Sequence, residues 1–500
     1  MRSARGSGPF DLAVVGTGFG SSFFLHRYLE LAPPNARVVV VERGPVRSWE
    51  EQVRSGVSSA VPPSEAIRVP DGHKPWNFTI GFGGGTNCWW GQAPRMLPSD
   101  FRLRSLYGVG RDWPVTYDDL ESHYVAAERI MAIAGDGEAT SLLPRSSPYP
   151  QPPHLLSEPD RLMRAAYPDL HVPLPTARAR TAAAGRPACC ARGRCNLCPI
   201  GAKFTALNGM TEVYSDPRVE VRSGTRALAF ETAAGRVSGV RCGGEAEDAV
   251  RGLRDDASTG TDLVEADVFV LGANALFSPA ILQRSGITDG PVGAGLHEQL
   301  GYEVEVLLAG VENYGGSTVD TGLNYALYDG EHRRSAGASL LFFSNHYYAT
   351  GVRLEFGRWR ESLRVIVVTE DLPRADHRVS TDPADPLRPV AHHPDVAGAY
   401  GAAGVRRALD MLPRLLAPLP VESIRERGPR PTESHVLGTL PMGQDPSTSV
   451  VDRDQVHHHY RNLIVVGTSV FPTGAPANPS LTAAALSLRA AERAMGPAAP

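Results

Sequence analysis

The chain has 500 residues, a length that fits two or three domains better than one small domain. Apolar residues make up 42% and charged residues 21%, close to globular averages, so a mainly disordered chain is excluded. The net charge of −4 supplies no excess of cations for phosphate groups, which argues against nucleic-acid binding. No apolar run is long enough to span a membrane or to form a signal peptide, so we expect a cytoplasmic protein with no membrane contact.

The chain opens with a pattern typical of a strand–helix–strand unit. Residues 11–15 form a short apolar strand, and residues 37–44 form a second one after a helical stretch. Between them Gly16 permits a tight turn, and Gly18 lets the backbone approach a pyrophosphate at the start of the helix. Glu42, near the end of the second strand, can hold ribose hydroxyls. The set predicts a dinucleotide site, although a glycine-rich turn of another α/β protein is the alternative and NAD and FAD are not distinguished.

The third glycine of the usual dinucleotide fingerprint is replaced in this chain. Ser21 stands at that position, and Gly20 lies one place before it. Serine is small, so the close packing of helix and strand that this position provides can survive the replacement.

The middle of the chain alternates between glycine-rich, helical and strand-like segments. A glycine cluster spans 81–91, and a helix is predicted over 113–135 from its 3–4 apolar rhythm. Four cysteines fall within residues 189–198. The period changes to two over 219–242, which predicts a small β-meander, and 266–275 reads as another buried strand.

The second half begins with alternating segments and ends on a strand and a helix. Alternation over 301–380 predicts an antiparallel sheet. Within it the segment 311–335, with Gly315, Gly316 and Gly322, is a candidate lid, and an ordinary surface loop is the alternative. Residues 399–419 are predicted to be helical. A strand and turn over 462–472 are followed by a helix over 478–495. The order of these elements predicts an α/β fold.

Six motifs together resemble the glucose–methanol–choline (GMC) oxidoreductases, and the resemblance runs nearly end to end. They are GTGFGSS with Glu42, GFGGGTNCWWGQAPR, DWPVTYDDLESHYVAAE, DVFVLGANALFSPAILQRSG, HVLGTLPMG and NLIVVGTSVFPTGAPANPSLTAAALSLRAAE. The ending is most similar to bacterial sugar dehydrogenases, pyranose oxidases and cholesterol-oxidase-like members. The resemblance implies bound FAD and a catalytic pair, His435 and Asn478. Without the family, His435 would more often be a structural histidine.

The chemistry of alcohol oxidation explains why such a pair is needed. A hydride leaves carbon for the flavin, and a proton leaves the hydroxyl oxygen. A histidine with a pKa near neutrality can accept that proton. Asn478 can hold the hydroxyl through its amide donor or its carbonyl oxygen.

The resemblance also implies which residues contact FAD. They are Gly16, Gly18, Phe19, Gly20, Ser21, Glu42, Gly84, Gly85, Thr86, Asn87, Val221, Ala273, Gly467, Thr468, Asn478 and Pro479. Thr468 stands where many members carry an acidic residue. Some related oxidases attach the flavin to a histidine that this chain lacks, since residues 86–89 read TNCW. We therefore expect noncovalent FAD.

The cysteine pattern has a separate meaning. Cys189, Cys190, Cys195 and Cys198 are close enough in sequence to wrap an iron–sulfur cluster or to hold zinc. They resemble the hinge of FAD-dependent glucose and fructose dehydrogenases, which carries a 3Fe–4S cluster, but the last two cysteines are one residue closer than in those enzymes. A redox disulfide and a purely structural remnant are the alternatives.

The predicted architecture has two domains. A discontinuous Rossmann-like FAD-binding domain combines residues 1–100, 200–300 and 430–500. A substrate-binding domain built on the antiparallel sheet combines residues 101–199 and 301–429. The active site is expected between them.

The predicted function is FAD-dependent oxidation of an alcohol on a sugar, cyclitol, glycoside or similar polar natural product. One alternative is an oxidase of a bulky apolar alcohol such as a sterol, since Phe342, Phe343, His346, Tyr347 and Tyr348 suit either kind of pocket. The other is a flavin and iron–sulfur electron-transfer partner. The electron acceptor is oxygen, a quinone or a redox protein.

Overall fold

The computed structural model describes residues 9–70, 72, 74–137, 143–244, 261–345 and 357–496. The strands of these residues are β1 (Phe10–Val15), β2 (Val38–Glu42), β3 (His171–Pro173), β4 (Val219–Ser223), β5 (Arg226–Ala233), β6 (Arg236–Gly243), β7 (Thr261–Leu271), β8 (Leu300–Leu308), β9 (Asp320–Asn324), β10 (Ser339–Ser344), β11 (Ser362–Thr369), β12 (Arg378–Asp382), β13 (Asp385–His392), β14 (Val421–Pro429) and β15 (Leu463–Val465).

The α-helices of the same residues vary from one turn to more than four. They are α1 (Phe19–Leu31), α2 (Trp49–Ser55), α3 (Pro63–Ala66), α4 (Gly85–Cys88), α5 (Leu103–Tyr107), α6 (Tyr117–Met131), α7 (Glu158–Ala166), α8 (Ala206–Gly209), α9 (Thr211–Ser215), α10 (Asn274–Arg284), α11 (Ala399–Leu415) and α12 (Ser480–Met495). None of the helices in these ranges is long and apolar enough to cross a membrane.

The first sheet is the Rossmann-like sheet that the sequence predicts. Its order is β4-β2-β1-β7-β6-β5, and β15 pairs with β7. Strands β4, β2, β1, β7 and β15 run parallel, which places their carboxyl ends at one edge. Their apolar runs, such as Val38–Val41, are buried, as expected for parallel strands covered on both faces. The α/β fold class is thereby confirmed.

The predicted β-meander over 219–242 is only partly correct. β4 leaves the meander and pairs in parallel with β2, which makes it the edge strand of the first sheet. β5 and β6 form the expected antiparallel hairpin. Its two-residue turn, Ala234 and Gly235, has positive φ at both positions, 51° and 76°, which matches the twist of a hairpin.

The second sheet is antiparallel, as predicted, with the order β14-β8-β11-β10-β9-β3. Side chains alternate between its two faces. One face carries Val304, Leu341 and Val365, which are fully buried against Leu412 of α11. The opposite face carries other side chains of β10 and β11 toward a cavity between the two sheets.

The prediction of a lid over residues 311–335 is wrong for the central part of that segment. Residues 320–324 form β9, which pairs with β10 and β3 and is buried at every position. A segment paired on both sides within a sheet cannot swing open without breaking its hydrogen bonds.

A buried ion cluster ties the second sheet to the segment that follows the glycine cluster. The Arg333 guanidinium donates to Asp100 Oδ1 at 2.8 Å and to Glu370 Oε2 at 2.8 Å. Tyr328 donates its hydroxyl to the other Asp100 oxygen at 2.7 Å. All four side chains are buried. Burial raises the pKa of Asp100 to about 6, although Arg333 opposes that change.

Candidate active site

The carboxyl ends of the parallel strands open into one cavity of about 670 Å³, within the usual size range of ligand sites. Residues after β1, β2, β7 and β15 form one wall. Side chains of β10 and β11 form part of the opposite wall. The cavity therefore lies where open α/β sheets bind their ligands.

Close backbone contacts explain the glycines of the first turn. A Cβ atom on Gly20 would lie 2.6 Å from the backbone nitrogen of Gly467, so no larger residue fits where α1 crosses the end of β15. Ser21 is accommodated because residue 272 is glycine, whose own Cβ would lie 2.1 Å from the Ser21 hydroxyl oxygen. Gly20 thus performs the packing that the third glycine of the fingerprint normally provides.

The start of α1 fits an anionic group. Gly18 is the N-cap and no side chain caps the helix, so its first backbone N–H groups lack intrahelical partners. A Cβ on Gly18 would meet nothing within 4 Å, which means that this residue faces open space in the cavity. A helix N-terminus free of side chains is a suitable place for a pyrophosphate.

Glu42 lies where the ribose contact is predicted, but its carboxylate already has partners. Oε2 accepts from the Thr17 hydroxyl at 2.7 Å, and Oε1 accepts from the Gly44 amide at 2.8 Å. Each carboxylate oxygen has a further lone pair, so both can still accept from a ligand. Burial raises the pKa of Glu42, while the two hydrogen bonds lower it. The residues around this end of the cavity fit a dinucleotide.

Most residues that the sequence assigns to FAD contact line the cavity: Gly16, Gly18, Phe19, Gly20, Glu42, Gly84, Gly85, Ala273, Gly467, Thr468, Asn478 and Pro479. Ser21, Thr86, Asn87 and Val221 are not among its lining residues. Thr86 and Asn87 donate to backbone carbonyls of the glycine cluster and support the wall from behind. Val221 pairs within the sheet, and Arg226 of β5 lines that side of the cavity instead.

The structure brings His435 and Asn478 together at the cavity. Asn478 Nδ2 lies 3.3 Å from His435 Nε2, although 43 residues separate the two in sequence. Both side chains line the cavity. Asn478 Oδ1 is buried and has no hydrogen-bond partner among the described residues, so it can accept from a bound molecule.

Gln299 determines which nitrogen of His435 carries the proton. Gln299 Nε2 donates to the carbonyls of Ala475 at 2.7 Å and Ala477 at 3.2 Å. Carbonyls only accept, so the Gln299 amide is oriented with Oε1 toward His435 Nδ1 at 3.0 Å. His435 therefore carries its proton on Nδ1, and the lone pair on Nε2 faces Asn478 and the cavity.

The surroundings of His435 favour the neutral ring. Burial, the largest effect, lowers its pKa to about 4, against the opposing field of Glu298. Glu298 accepts from the His435 backbone amide at 2.9 Å and forms a buried ion pair with Lys74. The backbone of His435 is thus fixed by a charged pair, while its ring stays uncharged and able to accept a proton.

Several residues of the site were not predicted, because no local sequence pattern marks them. Gln299 precedes a strand, and Glu298 and Lys74 lie in irregular segments. Gln92 directly follows the glycine cluster, and Asp320 begins β9. Their roles depend on contacts between distant segments, which no local pattern reveals. Gln92 could have been suspected only because it lies in a motif shared with the family.

The wall opposite the strand ends is part apolar and part charged. Its apolar members are Phe342, Ile366 and Val368, and its charged members are Arg364, Arg430 and Glu433. Arg364 and Arg430 form ion pairs with Glu303 on β8. Phe343, predicted as a pocket residue, faces the opposite side of the sheet. His346, Tyr347 and Tyr348 lie outside the described residues.

The four clustered cysteines do not form a mononuclear metal site in the described part of the chain. A tetrahedral zinc site with Zn–S bonds of about 2.3 Å needs its sulfur atoms within about 4 Å of one another. Among the described residues, three or more possible metal-ligand atoms lie within 4.8 Å of one another only at Asp376, His377 and Asp395, and no cysteine is part of that group. No described cysteine takes part in a disulfide.

The contacts of the cysteines are with protein groups. Arg178 donates to Cys195 Sγ at 3.5 Å, and Cys189 Sγ lies 3.5 Å from the Thr318 hydroxyl. Burial raises the pKa of Cys195, and Arg178 opposes that change. Lys203, which follows the cluster, is buried and donates to three backbone carbonyls, so it is a packing residue.

Comparisons with known proteins agree with the geometry. The family described as GMC oxidoreductase matches residues 369–487. The chain is 29% identical to 6'''-hydroxyparomomycin C oxidase of Streptomyces lividus, covering 96% of this chain and 90% of that protein. It is 26% identical to the large subunit of fructose dehydrogenase of Gluconobacter japonicus, covering 96% and 97%.

The solved structures share the fold. Pyridoxine 4-oxidase from Mesorbium loti superposes with a TM-score of 0.67 at 17% identity, covering 97% of this chain and 99% of that one. This chain thus combines the shared fold with the His435–Asn478 pair, which lies between its parallel and antiparallel sheets. The relatives named above are of nearly equal length. Residues 369–487 of this chain therefore match the GMC oxidoreductase family, and the chain is similar over nearly its whole length to the oxidase and the dehydrogenase named above.

Proposed function

We propose that this protein binds FAD without a covalent link and oxidises an alcohol on a sugar, cyclitol, glycoside or similar polar natural product. The observation that carries the proposal is the His435–Asn478 pair, which the fold assembles at the mouth of the parallel sheet. FAD supplies the acceptor for the hydride that leaves the substrate carbon.

The chain's own part in the reaction is proton transfer and positioning. Because Gln299 holds the proton of His435 on Nδ1, Nε2 accepts the hydroxyl proton of the substrate. Asn478 Nδ2, which contacts Nε2, can donate to the same hydroxyl oxygen. His435 and Asn478 thereby orient the alcohol and remove its proton, and these roles define them as the catalytic pair.

We further propose that residues 1–100, 200–300 and 430–500 form the FAD-binding domain. The start of α1, Glu42 and the glycines at the strand ends would hold the dinucleotide. Residues 101–199 and 301–429 would form the substrate-binding domain, whose sheet face lies across the cavity. Support comes from the positions of the two sheets on either side of that cavity.

Purified protein is expected to be yellow and to release FAD on denaturation. Glu42→Ala should weaken FAD binding about 10-fold or more, because the carboxylate accepts hydrogen bonds and a charge-assisted bond contributes roughly 1.5–3 kcal/mol. Fluorescence titration of the apoprotein with FAD measures the dissociation constant. Glu50→Ala on α2, which the cavity does not include, is the control. Equal affinities for Glu42→Ala and wild type would remove the ribose assignment, and colourless protein that FAD cannot reconstitute would remove the cofactor.

The charged wall supports a polar substrate over a sterol. Arg364, Arg430 and Glu433 line the cavity, and a sterol would place an apolar surface against these charged side chains. The named relatives act on an aminoglycoside and on fructose, which agrees with a polar alcohol. Burial raises the pKa of Glu433 to about 7, so the charge of this wall changes near neutral pH.

A panel of alcohols tests the substrate class. Paromamine, D-fructose, myo-inositol and cholesterol represent the glycoside, sugar, cyclitol and sterol classes. In anaerobic mixing with the FAD-loaded protein, at least one polar alcohol should reduce the flavin about 10-fold or more faster than cholesterol does, because unpaired buried polar groups penalise an apolar ligand. Reduction by cholesterol alone would favour the sterol alternative. Repeating turnover with oxygen, a quinone and a dye identifies the electron acceptor.

The electron-transfer partner is the weaker candidate. A carrier does not need a proton acceptor beside a positioning amide, whereas this cavity contains both. The 3Fe–4S cluster is therefore not part of the proposed reaction, and the cysteine contacts described above suit a structural role. Iron and labile sulfide analysis of anaerobically purified protein tests that role.

A further inference from the structure

A hydrogen-bonded chain leads from the second sheet to the catalytic pair. Asp320, at the start of β9, accepts from Gln92 Nε2 at 2.7 Å through Oδ2. Gln92 Oε1 accepts from Asn478 Nδ2 at 3.1 Å. Asn478 Nδ2 also lies 3.3 Å from His435 Nε2. The chain Asp320–Gln92–Asn478–His435 thus joins four segments that are far apart in sequence.

The direction of each hydrogen bond in this chain is determined by the carboxylate at its end. An ionised carboxylate only accepts, so Gln92 must present its nitrogen to Asp320 and its oxygen to Asn478. Asn478 must then present its nitrogen to Gln92, which also turns that nitrogen toward His435. Asp320 is buried, and its Oδ2 lies 3.8 Å from Arg178 Nη1.

An independent constraint reaches the same contact from the other side. Gln299 is oriented by two backbone carbonyls and keeps the His435 proton on Nδ1, which leaves a lone pair on Nε2. An N–H of Asn478 facing a lone pair of His435 is a favourable contact. A reversed Asn478 amide would place an oxygen against that lone pair, which is unfavourable unless the ring takes up a proton.

We propose that Gln92 and Asp320 are positioning residues, which hold the Asn478 amide with its nitrogen toward His435 and the substrate hydroxyl. This arrangement keeps the imidazole neutral and leaves Nε2 as the proton acceptor. It also leaves a donor on Asn478 for the hydroxyl oxygen. The inference rests on the proposed function for the catalytic meaning of the arrangement, but the arrangement itself can be tested without substrate.

The matched variants change the chain one contact at a time. Gln92→Leu removes both hydrogen bonds at similar size. Asp320→Asn replaces the acceptor with an amide that can also donate, so Gln92 is no longer forced into one orientation. Asp136→Asn is the control, because Asp136 is also a mostly buried aspartate paired with an arginine, Arg164, but does not line the active-site cavity.

The first readout is nuclear magnetic resonance of FAD-loaded full-length protein labelled with [15N]histidine, with His435→Gln used for assignment. Wild type and Asp136→Asn should show a neutral His435 ring protonated on Nδ1, including at pH values of about 5, since burial lowers its pKa to about 4. In Gln92→Leu and Asp320→Asn the reversed amide accepts from a charged ring, so the His435 pKa should rise toward the ordinary value of about 6.5. An unchanged His435 titration in both variants would overturn the proposal.

The second readout is anaerobic flavin reduction by whichever alcohol of the panel reduces the wild type. Gln92→Leu and Asp320→Asn should lower the limiting rate by up to about 10-fold, because they act through Asn478 and misplace the hydroxyl relative to the base. Asp136→Asn should keep the wild-type rate. A wild-type rate in Gln92→Leu would contradict the positioning role.

Gln92→Glu separates a positioning role from a packing role. The new carboxyl would share one proton with Asp320, because two adjacent carboxylates cannot both ionise easily. With that proton present, the substituted side chain can donate to Asp320 and still accept from Asn478. Its rate should therefore approach wild type at acidic pH and fall as the shared proton is lost at higher pH.

Two titratable or charged side chains lie near position 92 and Asp320. Arg178 lies beside Asp320, and the Cys195 thiol is within electrostatic range of both side chains. Arg178 and Cys195 lie beside Asp320 both in wild type and in Gln92→Glu. A comparison of the two proteins therefore isolates the effect of the added carboxyl at position 92. A pH profile of Gln92→Glu parallel to that of Gln92→Leu would overturn the proposal.

The two readouts also separate this proposal from the proposed function. If no alcohol reduces the wild type but the resonance shifts appear, the proposed function fails and the positioning role stands.

Discussion

His435→Ala is expected to bind FAD with a normal absorption spectrum and to be reduced by substrate about 10²–10⁴ times more slowly than wild type. His435 Nε2 carries the lone pair that takes the hydroxyl proton, and Gln299 keeps it available. Asn478→Ala should lose less, about 10-fold, because it removes a hydrogen-bond donor and not the proton acceptor. Anaerobic stopped-flow reduction measures all three rates.

Two controls accompany this experiment. Dithionite needs no base and should reduce wild type and His435→Ala alike. His123→Ala removes a histidine that pairs with Glu492 on α12, outside the cavity lining, and should leave the reduction rate unchanged. A His435→Ala protein that substrate reduces as fast as wild type would remove this mechanism.

Arg333→Met should lower the free energy of unfolding by about 3–5 kcal/mol, because it leaves the buried carboxylates of Asp100 and Glu370 without their cation. The loss should be smaller at pH 5 than at pH 8. A buried carboxyl with a raised pKa binds a proton in the folded state that the unfolded chain has already lost, so stability falls as pH rises. Urea unfolding of the FAD-loaded protein at both pH values measures the effect.

Arg334→Met is the matched control, since the neighbouring Arg334 is exposed and pairs only with exposed Glu331 in the described structure. It should leave the urea midpoint unchanged. Adding Glu370→Gln to Arg333→Met should restore part of the loss, because one uncompensated charge is removed. A loss in Arg333→Met that is equal at both pH values would show that packing, not charge, determines the effect.

The fold class and the site could be predicted where local chemistry determines them. Apolar runs and their periods predicted both sheets, and the glycine turn predicted the mouth of the parallel sheet. The small size of Ser21 predicts that it fits at this position, and in the structure Gly20 and Gly272 together make room for it. That compensation depends on a strand some 250 residues away, which no local reading reveals.

Two kinds of error have different physical causes. Glycines at 315, 316 and 322 suggested a lid, but Gly322 lies in β9, where a Cβ would come within 2.1 Å of the Asp160 carboxylate. The glycine there serves close packing, not motion. The polar residues around His435 were missed for the opposite reason, since Gln92, Gln299 and Asp320 acquire meaning only through partners on other segments.

The position of β15 and α12 has a consequence for how the protein matures in the cell. β15 pairs with β7, Gly467 closes against Gly20, and α12 packs on α1. During synthesis the ribosome makes these elements long after β1 and α1. The turn that would hold the pyrophosphate is therefore without its covering strand until β15 has been made, so FAD capture should follow the synthesis of β15 and α12 and not precede it.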